Sequence, residues 1–307
     1  MSAVPYLDGA ELRRLVSVPA AVDALERTFR AGDVEVPQRS HLPAGPGELL
    51  VMPAWGPDGL GVKLVTVNPA NPAAGKPLIN GVYVLFSAES LEPVLMIDGA
   101  AVTALRTPAA SALATKHLAA PDASRLVVFG AGTQARGHVE AIRVVRPIES
   151  LVVVSRSQES AASLARSLRE EALKARAGAP EDVADADVVC TCTTSTTPLF
   201  DGALLRRGAH VNAVGAYKPH AREIDDATVR RAAVYVEDRA AALAEAGDLV
   251  GPIASGALEQ SSVRDLRDLL TSGPPEDADV TVFKSVGLAS EDLAVAAAAW
   301  AATTQGR

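Results

Sequence analysis

The spacing of apolar positions along this chain changes character at Arg125. Before it, Leu12 to Ala31 carries apolar residues at helical spacing, with Val22, Leu25 and Phe29 on one stripe, and predicts an amphipathic helix. Glu48–Met52, Gly61–Val67 and Gly81–Phe86 predict short strands, with a turn at Asn68–Pro72. This section reads as a mixed or antiparallel sheet with a helix. After Arg125, apolar runs at Leu126–Phe129, Leu151–Val154, Asp187–Cys192, His210–Gly215, Ala233–Val236 and Val280–Phe283 alternate with helical stretches. That alternation predicts an α/β fold with a doubly wound parallel sheet. Glu171–Ala177 is ambiguous: propensity favours helix, the alternation favours a strand. The Ala-rich tail, Ser290–Thr304, predicts a helix.

The first strand after Arg125 runs into Gly130-x-Gly132-x-x-Ala135, with a helical stretch behind it and a second strand some twenty residues on. This is a dinucleotide fingerprint in its expected setting. Gly130 turns the chain off the strand, Gly132 lets the backbone approach a pyrophosphate, and Ala135 lets helix and strand pack closely. Thr133 and Gln134 open the helix, whose free N–H groups and positive dipole end suit phosphate. The second strand ends in Val154-Ser155-Arg156-Ser157. No carboxylate stands there for a ribose 2′-hydroxyl, whereas Arg156 and the two serines suit a 2′-phosphate, so NADP(H) is favoured and NAD(H) is the alternative. Thr193, Thr194 and Ser195 follow another strand and are expected to face the same crevice.

Three cations in the first section suggest a second site. Lys63 sits in the apolar run Leu60–Val67, on the face shared by Val65 and Val67. A lysine buried there has a lowered pKa, as acid–base work on nitrogen requires; a solvated edge strand is the competing reading. Arg106, before Pro108, reads as standing at a helix start, where the dipole disfavours it unless it holds an anion. With Arg39 the set suits a small carboxylate.

Composition narrows the classes. Apolar residues are 48% and charged residues 21%, as in an ordinary globular enzyme, and 307 residues suggest two domains. A net charge of −8 argues against a nucleic-acid or anionic-membrane partner. The five histidines have no metal spacing, so no metal is expected. Cys190 and Cys192 cannot form a disulfide framework and point to a reducing compartment. The start lacks a signal-peptide pattern and Val295–Ala302 is too short to span a bilayer, so a cytoplasmic location is expected.

Taken together, several motifs in one order resemble the ornithine cyclodeaminase and mu-crystallin family. They are Val36-Pro-Gln-Arg39, Val51-Met-Pro-Ala54, Gly61-Val-Lys-Leu64, Asp98-Gly99 with Leu105-Arg-Thr-Pro-Ala109, and the Gly130 loop with His138. Further on come Gly215-x-x-x-Pro219 with Arg222-Glu-Ile-Asp225, Ala246-Gly-Asp-Leu249, and Phe283-Lys-Ser-Val-Gly287 with Ala289 and Asp292. The resemblance implies a Rossmann domain (118–285) inserted into a second α+β substrate-binding and dimerisation domain (1–117 plus 286–307), and a homodimer. It also implies amino-acid chemistry through an imine. Arg39, Lys63 and Arg106 hold the carboxylate, and Lys63 serves the substrate nitrogen. Two departures shape the reading. Tyr217 stands where ornithine cyclodeaminases carry an aspartate, and Leu50-Val51 precede Met52 where they carry an acid. A distal ammonium then has no partner. The expectation is an NAD(P)H-dependent reductase of a cyclic ketimine carboxylate, with Tyr217 lining the ring pocket. Ornithine cyclodeaminase, an alanine-dehydrogenase-like enzyme and a non-catalytic NADPH-binding protein are the alternatives.

Overall fold

Where the sequence predicts one helix over Leu12–Ala31, the structure has two. The computed structural model describes residues 3–171, 173–275 and 277–305. After a short strand, β1 (Tyr6–Leu7), α1 (Gly9–Leu15) starts on a capping box: Asp8 accepts from Ala10 N and Glu11 N, and the Glu11 carboxylate accepts from Asp8 N. Ser17 caps α2 (Val18–Ala31). The break follows from Pro19, which has no N–H for a continuing helix and fits only a first turn.

The chain divides into two units, Met1–Ala109 with Leu288–Arg307, and Ala110–Gly287. In the first, β2 (Ser40–Ala44), β3 (Gly47–Gly56), β4 (Gly59–Val67), β5 (Ile79–Phe86) and β6 (Pro93–Asp98) join β1 in a six-stranded sheet of order β1-β6-β5-β4-β3-β2. All neighbours are antiparallel except β1 and β6. The strands alternate, burying Leu50, Met52, Ala54, Val65, Leu85, Leu95 and Ile97 on one face. Asp98 caps the following helix, α3 (Gly99–Leu118), by accepting from Ala100 N and Ala101 N. The division between units falls inside α3.

The second unit contains β7 (Arg125–Phe129), α4 (Thr133–Val145), β8 (Ser150–Val154), α5 (Gln158–Glu170), β9 (Lys174–Ala177), β10 (Val188–Thr191) and β11 (His210–Ala213). It continues with α6 (Asp226–Arg231), β12 (Ala232–Val236), α7 (Arg239–Glu245), α8 (Gly247–Ala254), β13 (Arg264–Asp265), α9 (Leu266–Ser272) and β14 (Val280–Lys284). The eight strands are parallel, in the order β9-β8-β7-β10-β11-β14-β12-β13. This is the Rossmann-type doubly wound sheet, and the winding reverses between β7 and β10. The ambiguous stretch contains a strand: pairing with β8 overrides helix propensity from Lys174 onward.

The last helix, α10 (Ala289–Gln305), belongs to the first unit and packs on β3, β4, β5 and α2. Its alanines are what permit that position, since Ala294, Ala296 and Ala299 are buried and small enough for close approach on two sides.

Candidate active site

Lys63 lies in the buried face of an interior strand. The register places Met52, Lys63, Tyr83 and Ile97 in one cross-strand row, and all four are buried. The solvated-edge reading is thereby excluded. Such a cation must be paired. Its Nζ stands 2.8 Å from both carboxylate oxygens of Asp292 and donates to Thr103 Oγ1 at 3.3 Å. Burial pulls its pKa down to about 8, although Asp292 pushes the other way and Arg106 adds to the lowering.

Arg106 is not at a helix start. It is the eighth residue of α3, and Pro108 lies inside that helix. The dipole argument for an anion therefore does not apply, yet anions are present. Arg106 Nη1 donates to Glu291 Oε2 at 2.7 Å and Nε to Asp292 Oδ1 at 3.2 Å. Two buried cations thus face two buried carboxylates on the first turn of α10, where the helix dipole also favours negative charge. The sequence reading missed both carboxylates as partners. The available signal was a pair of acids opening a helix that is otherwise almost entirely apolar. Tyr83, opposite Lys63, was also missed. Its hydroxyl is buried without a hydrogen-bond partner among the described residues, and burial, then Asp292, raises its pKa.

Arg39 stands just before β2, half-buried, in the same unit. Tyr217 belongs to the other unit, in the segment after β11. It is half-buried against that unit's apolar core, with Lys218 Nζ 5.7 Å from its ring centre.

The second unit gathers the other sequence-derived residues at the carboxyl ends of its strands. Gly130 takes φ +112°, and a Cβ there would come within 2.6 Å of the Cys192 carbonyl oxygen. Its N–H donates to Val154 O at 2.8 Å, so the loop leaving β7 touches the ends of both β8 and β10. Gly132 precedes α4, and a Cβ there would meet nothing within 4 Å: the space the fingerprint needs beside the backbone is open. Thr133 and Gln134 open α4 and Ala135 is buried. Ser155 is half-buried after β8, Arg156 is exposed, and Ser157 caps α5 by accepting from Ser160 N. Thr193 and Ser195 are half-buried and Thr194 exposed, beyond β10. These residues fit a dinucleotide at the sheet's switch point. His138, named among the motif residues, is instead part of the core: its Nδ1 donates to Gln134 O at 2.8 Å within α4, and its Nε2 accepts from Ser111 Oγ of α3 at 3.0 Å.

A Rossmann-type sheet with an open glycine loop, and an antiparallel sheet burying a lysine and an arginine against two carboxylates, define an α/β protein equipped for cofactor-linked acid–base chemistry. The chain belongs to the ornithine cyclodeaminase/mu-crystallin family, whose sequence model matches residues 8–305. It is 38% identical over 302 residues to a Δ1-pyrroline-2-carboxylate reductase of Bacillus cereus, covering 93% of this chain and 92% of the relative. Among solved structures it resembles Thermococcus litoralis Δ1-pyrroline-2-carboxylate reductase in complex with NADH and L-proline. That match has a TM-score of 0.92 and 30% identity over 98% of each chain. An archaeal alanine dehydrogenase dimer with bound NAD matches at a TM-score of 0.93 and 28% identity, over 99% of this chain and 97% of that one.

Proposed function

We propose that this protein is an NAD(P)H-dependent reductase that converts a small cyclic ketimine carboxylate to an L-amino acid. Its substrate is Δ1-pyrroline-2-carboxylate or Δ1-piperideine-2-carboxylate. The observation that carries this reading is Lys63, buried and paired with Asp292 beside Arg106, in a chain 38% identical to a reductase of that substrate class. The nicotinamide, when bound, supplies hydride to the imine carbon. The protein's own groups do the rest. Lys63, with a pKa of about 8, is mostly ammonium at neutral pH and holds a proton at the imine nitrogen. Asp292 and Thr103 fix the direction of that ammonium. Glu291 and Asp292 hold the Arg106 guanidinium in place, so that with Arg39 it meets the substrate carboxylate already oriented.

The second unit holds the cofactor, through Gly130, Gly132, Thr133, Gln134, Ala135 and Thr193 to Ser195. NADP(H) is preferred over NAD(H), because Ser155, Arg156 and Ser157 end β8 without a carboxylate. The first unit binds substrate and pairs with a second copy. Its outward sheet face supports this: Val51, Val62, Leu64, Val84 and Met96 are apolar and only half-buried. Ornithine cyclodeamination is disfavoured by the buried face of β3. Leu50 and Met52 stand on it, and Glu48, the acid nearest in sequence before Met52, lies 3.1 Å from His41 Nδ1 on the edge strand β2.

NADPH or NADH consumption is measured with each imine, with ornithine plus NAD run beside them, and the same samples are sized by light scattering. Rapid loss of NADPH with an imine and a dimeric mass are expected. Ammonia and proline from ornithine, with both imines inert, would overturn the reductase.

A further inference from the structure

Three motifs far apart in the sequence meet at one buried point in the second unit. Glu223 is completely buried, and both of its oxygens accept hydrogen bonds. Oε1 accepts from Thr193 N and Thr193 Oγ1, each at 2.7 Å. Oε2 accepts from Thr191 Oγ1 at 2.8 Å, Gly215 N at 2.6 Å and Ala216 N at 3.2 Å. Five donors from the ends of β10 and β11 therefore converge on one carboxylate. The two chain segments touch there: a Cβ on Gly215 would lie 2.0 Å from Thr193 O.

Glu223 is itself held. Asp248, in the first turn of α8, accepts from Glu223 N at 2.6 Å and Ile224 N at 3.0 Å. Its second oxygen pairs with Lys284 Nζ at 2.9 Å. Lys284, the last residue of β14, also donates to Ala216 O at 2.5 Å. The Ala216 residue is thus gripped at its N–H by Glu223 and at its carbonyl by Lys284, immediately before Tyr217. On the β10 side, Ser195 N donates to Thr193 Oγ1 at 3.1 Å, which in turn donates to Glu223.

We propose that Glu223, anchored by Asp248 and Lys284, is the positioning residue that sets the Thr193–Ser195 loop and the Ala216–Tyr217 peptide for cofactor binding. The reasoning is one of satisfiability. A carboxylate has acceptor capacity at both oxygens and no donor, which is what five converging donors need. A neutral amide of the same shape turns an NH2 group against two or three of them, and the loops must part. The strands β10, β11 and β14 pair through their own main chains, at Thr191, Ala213 and Lys284 as elsewhere, and the Glu223 carboxylate is no part of that ladder. The inference rests on the reading of this unit as the cofactor domain.

The test compares Glu223→Gln with Asp187→Asn in the full chain. Asp187 is the fitting control: it also accepts from two backbone N–H groups, Ser124 and Arg125, but at the opposite end of β10. NADPH and NADH dissociation constants are measured by calorimetry without substrate, alongside melting temperatures. Both variants are expected to melt lower than wild type. Only Glu223→Gln is expected to weaken cofactor binding, at least tenfold. If Glu223→Gln does not fold, Thr193→Val decides, with Thr193→Ser expected to restore binding by keeping the hydroxyl. Cofactor binding within twofold of wild type in Glu223→Gln, or equal losses in Thr193→Val and Thr193→Ser, overturns the proposal. A wild-type protein that binds neither dinucleotide overturns the cofactor reading and this inference together.

Discussion

Replacing Asp292 by asparagine removes a carboxylate whose two oxygens both lie 2.8 Å from Lys63 Nζ, while keeping the shape of the side chain. The direction of the effect follows from the balance at Lys63. Burial lowers its pKa to about 8, and Asp292 is the largest influence raising it. Arg106 remains and still repels the ammonium. Loss of a contact counter-charge of this kind lowers a lysine pKa by about 1–2 pH units. With a wild-type value of about 8, roughly nine-tenths of the enzyme carries the ammonium at pH 7. The variant then retains about a tenth to a half, so kcat/KM for imine reduction falls about two- to tenfold at pH 7 and roughly ten- to hundredfold at pH 9. The assay is the ratio of variant to wild-type kcat/KM across pH. The substrate imine titrates identically in both, and its contribution cancels. A ratio that is flat across pH, or a descending limb moved to higher pH, refutes the reasoning: the first makes Asp292 a purely spatial support, the second reverses the electrostatics.

Arg156 is exposed beyond β8, so Arg156→Ala is expected to weaken NADPH binding about tenfold or more while leaving NADH unchanged; equal losses for both dinucleotides in a calorimetric titration would contradict the 2′-phosphate reading. Tyr83→Phe removes a buried hydroxyl that has no partner among the described residues. Urea melts are expected to show unchanged or about 1 kcal/mol higher stability, and a clear loss would mean that a partner exists. His138 and His210 are buried, and desolvation holds their pKa values down at about 4 and about 3. Both are neutral in the folded chain while the unfolded chain takes up protons below pH 6.5, so stability is full above 6.5 and falls as pH drops towards 4, by up to a few kcal/mol each. Carboxylates such as Asp187, lowered to about 2 chiefly by bonds to Arg125 and nearby backbone against the opposing cost of burial, contribute only below the ordinary carboxylate range, so flat stability between pH 6.5 and 4.5 would count against the histidines.

The glycine loop was legible because a sharp turn with open backbone between a strand and a helix demands small residues at fixed spacing, and both neighbours show their period in the sequence. Lys63 was legible as an anomaly: a charge within an apolar alternation must be exposed or paired, and the sequence could not say which. Its partner is 229 residues away on α10, a contact created only by the return of the last helix. Arg106 shows the opposite failure. Pro108 marks a first turn by preference, but α3 tolerates it mid-helix, and the local rule gave the wrong place for the arginine. The strands β1, β2 and β6 escaped notice because two are very short or exposed and the third begins at Pro93. The Glu223 cluster lay in motifs visible one by one, yet nothing local joins Glu223, Asp248 and Lys284 before the sheet brings them together.

The most direct measurement is a single turnover: protein loaded with NADPH, mixed with Δ1-pyrroline-2-carboxylate, in wild type and in Lys63→Met. The account predicts L-proline formation by wild type, and a rate lower by about 10²–10⁴ in the variant with NADPH affinity unchanged. A variant that transfers hydride within threefold of wild type, or that loses NADPH instead, would contradict the role given to Lys63.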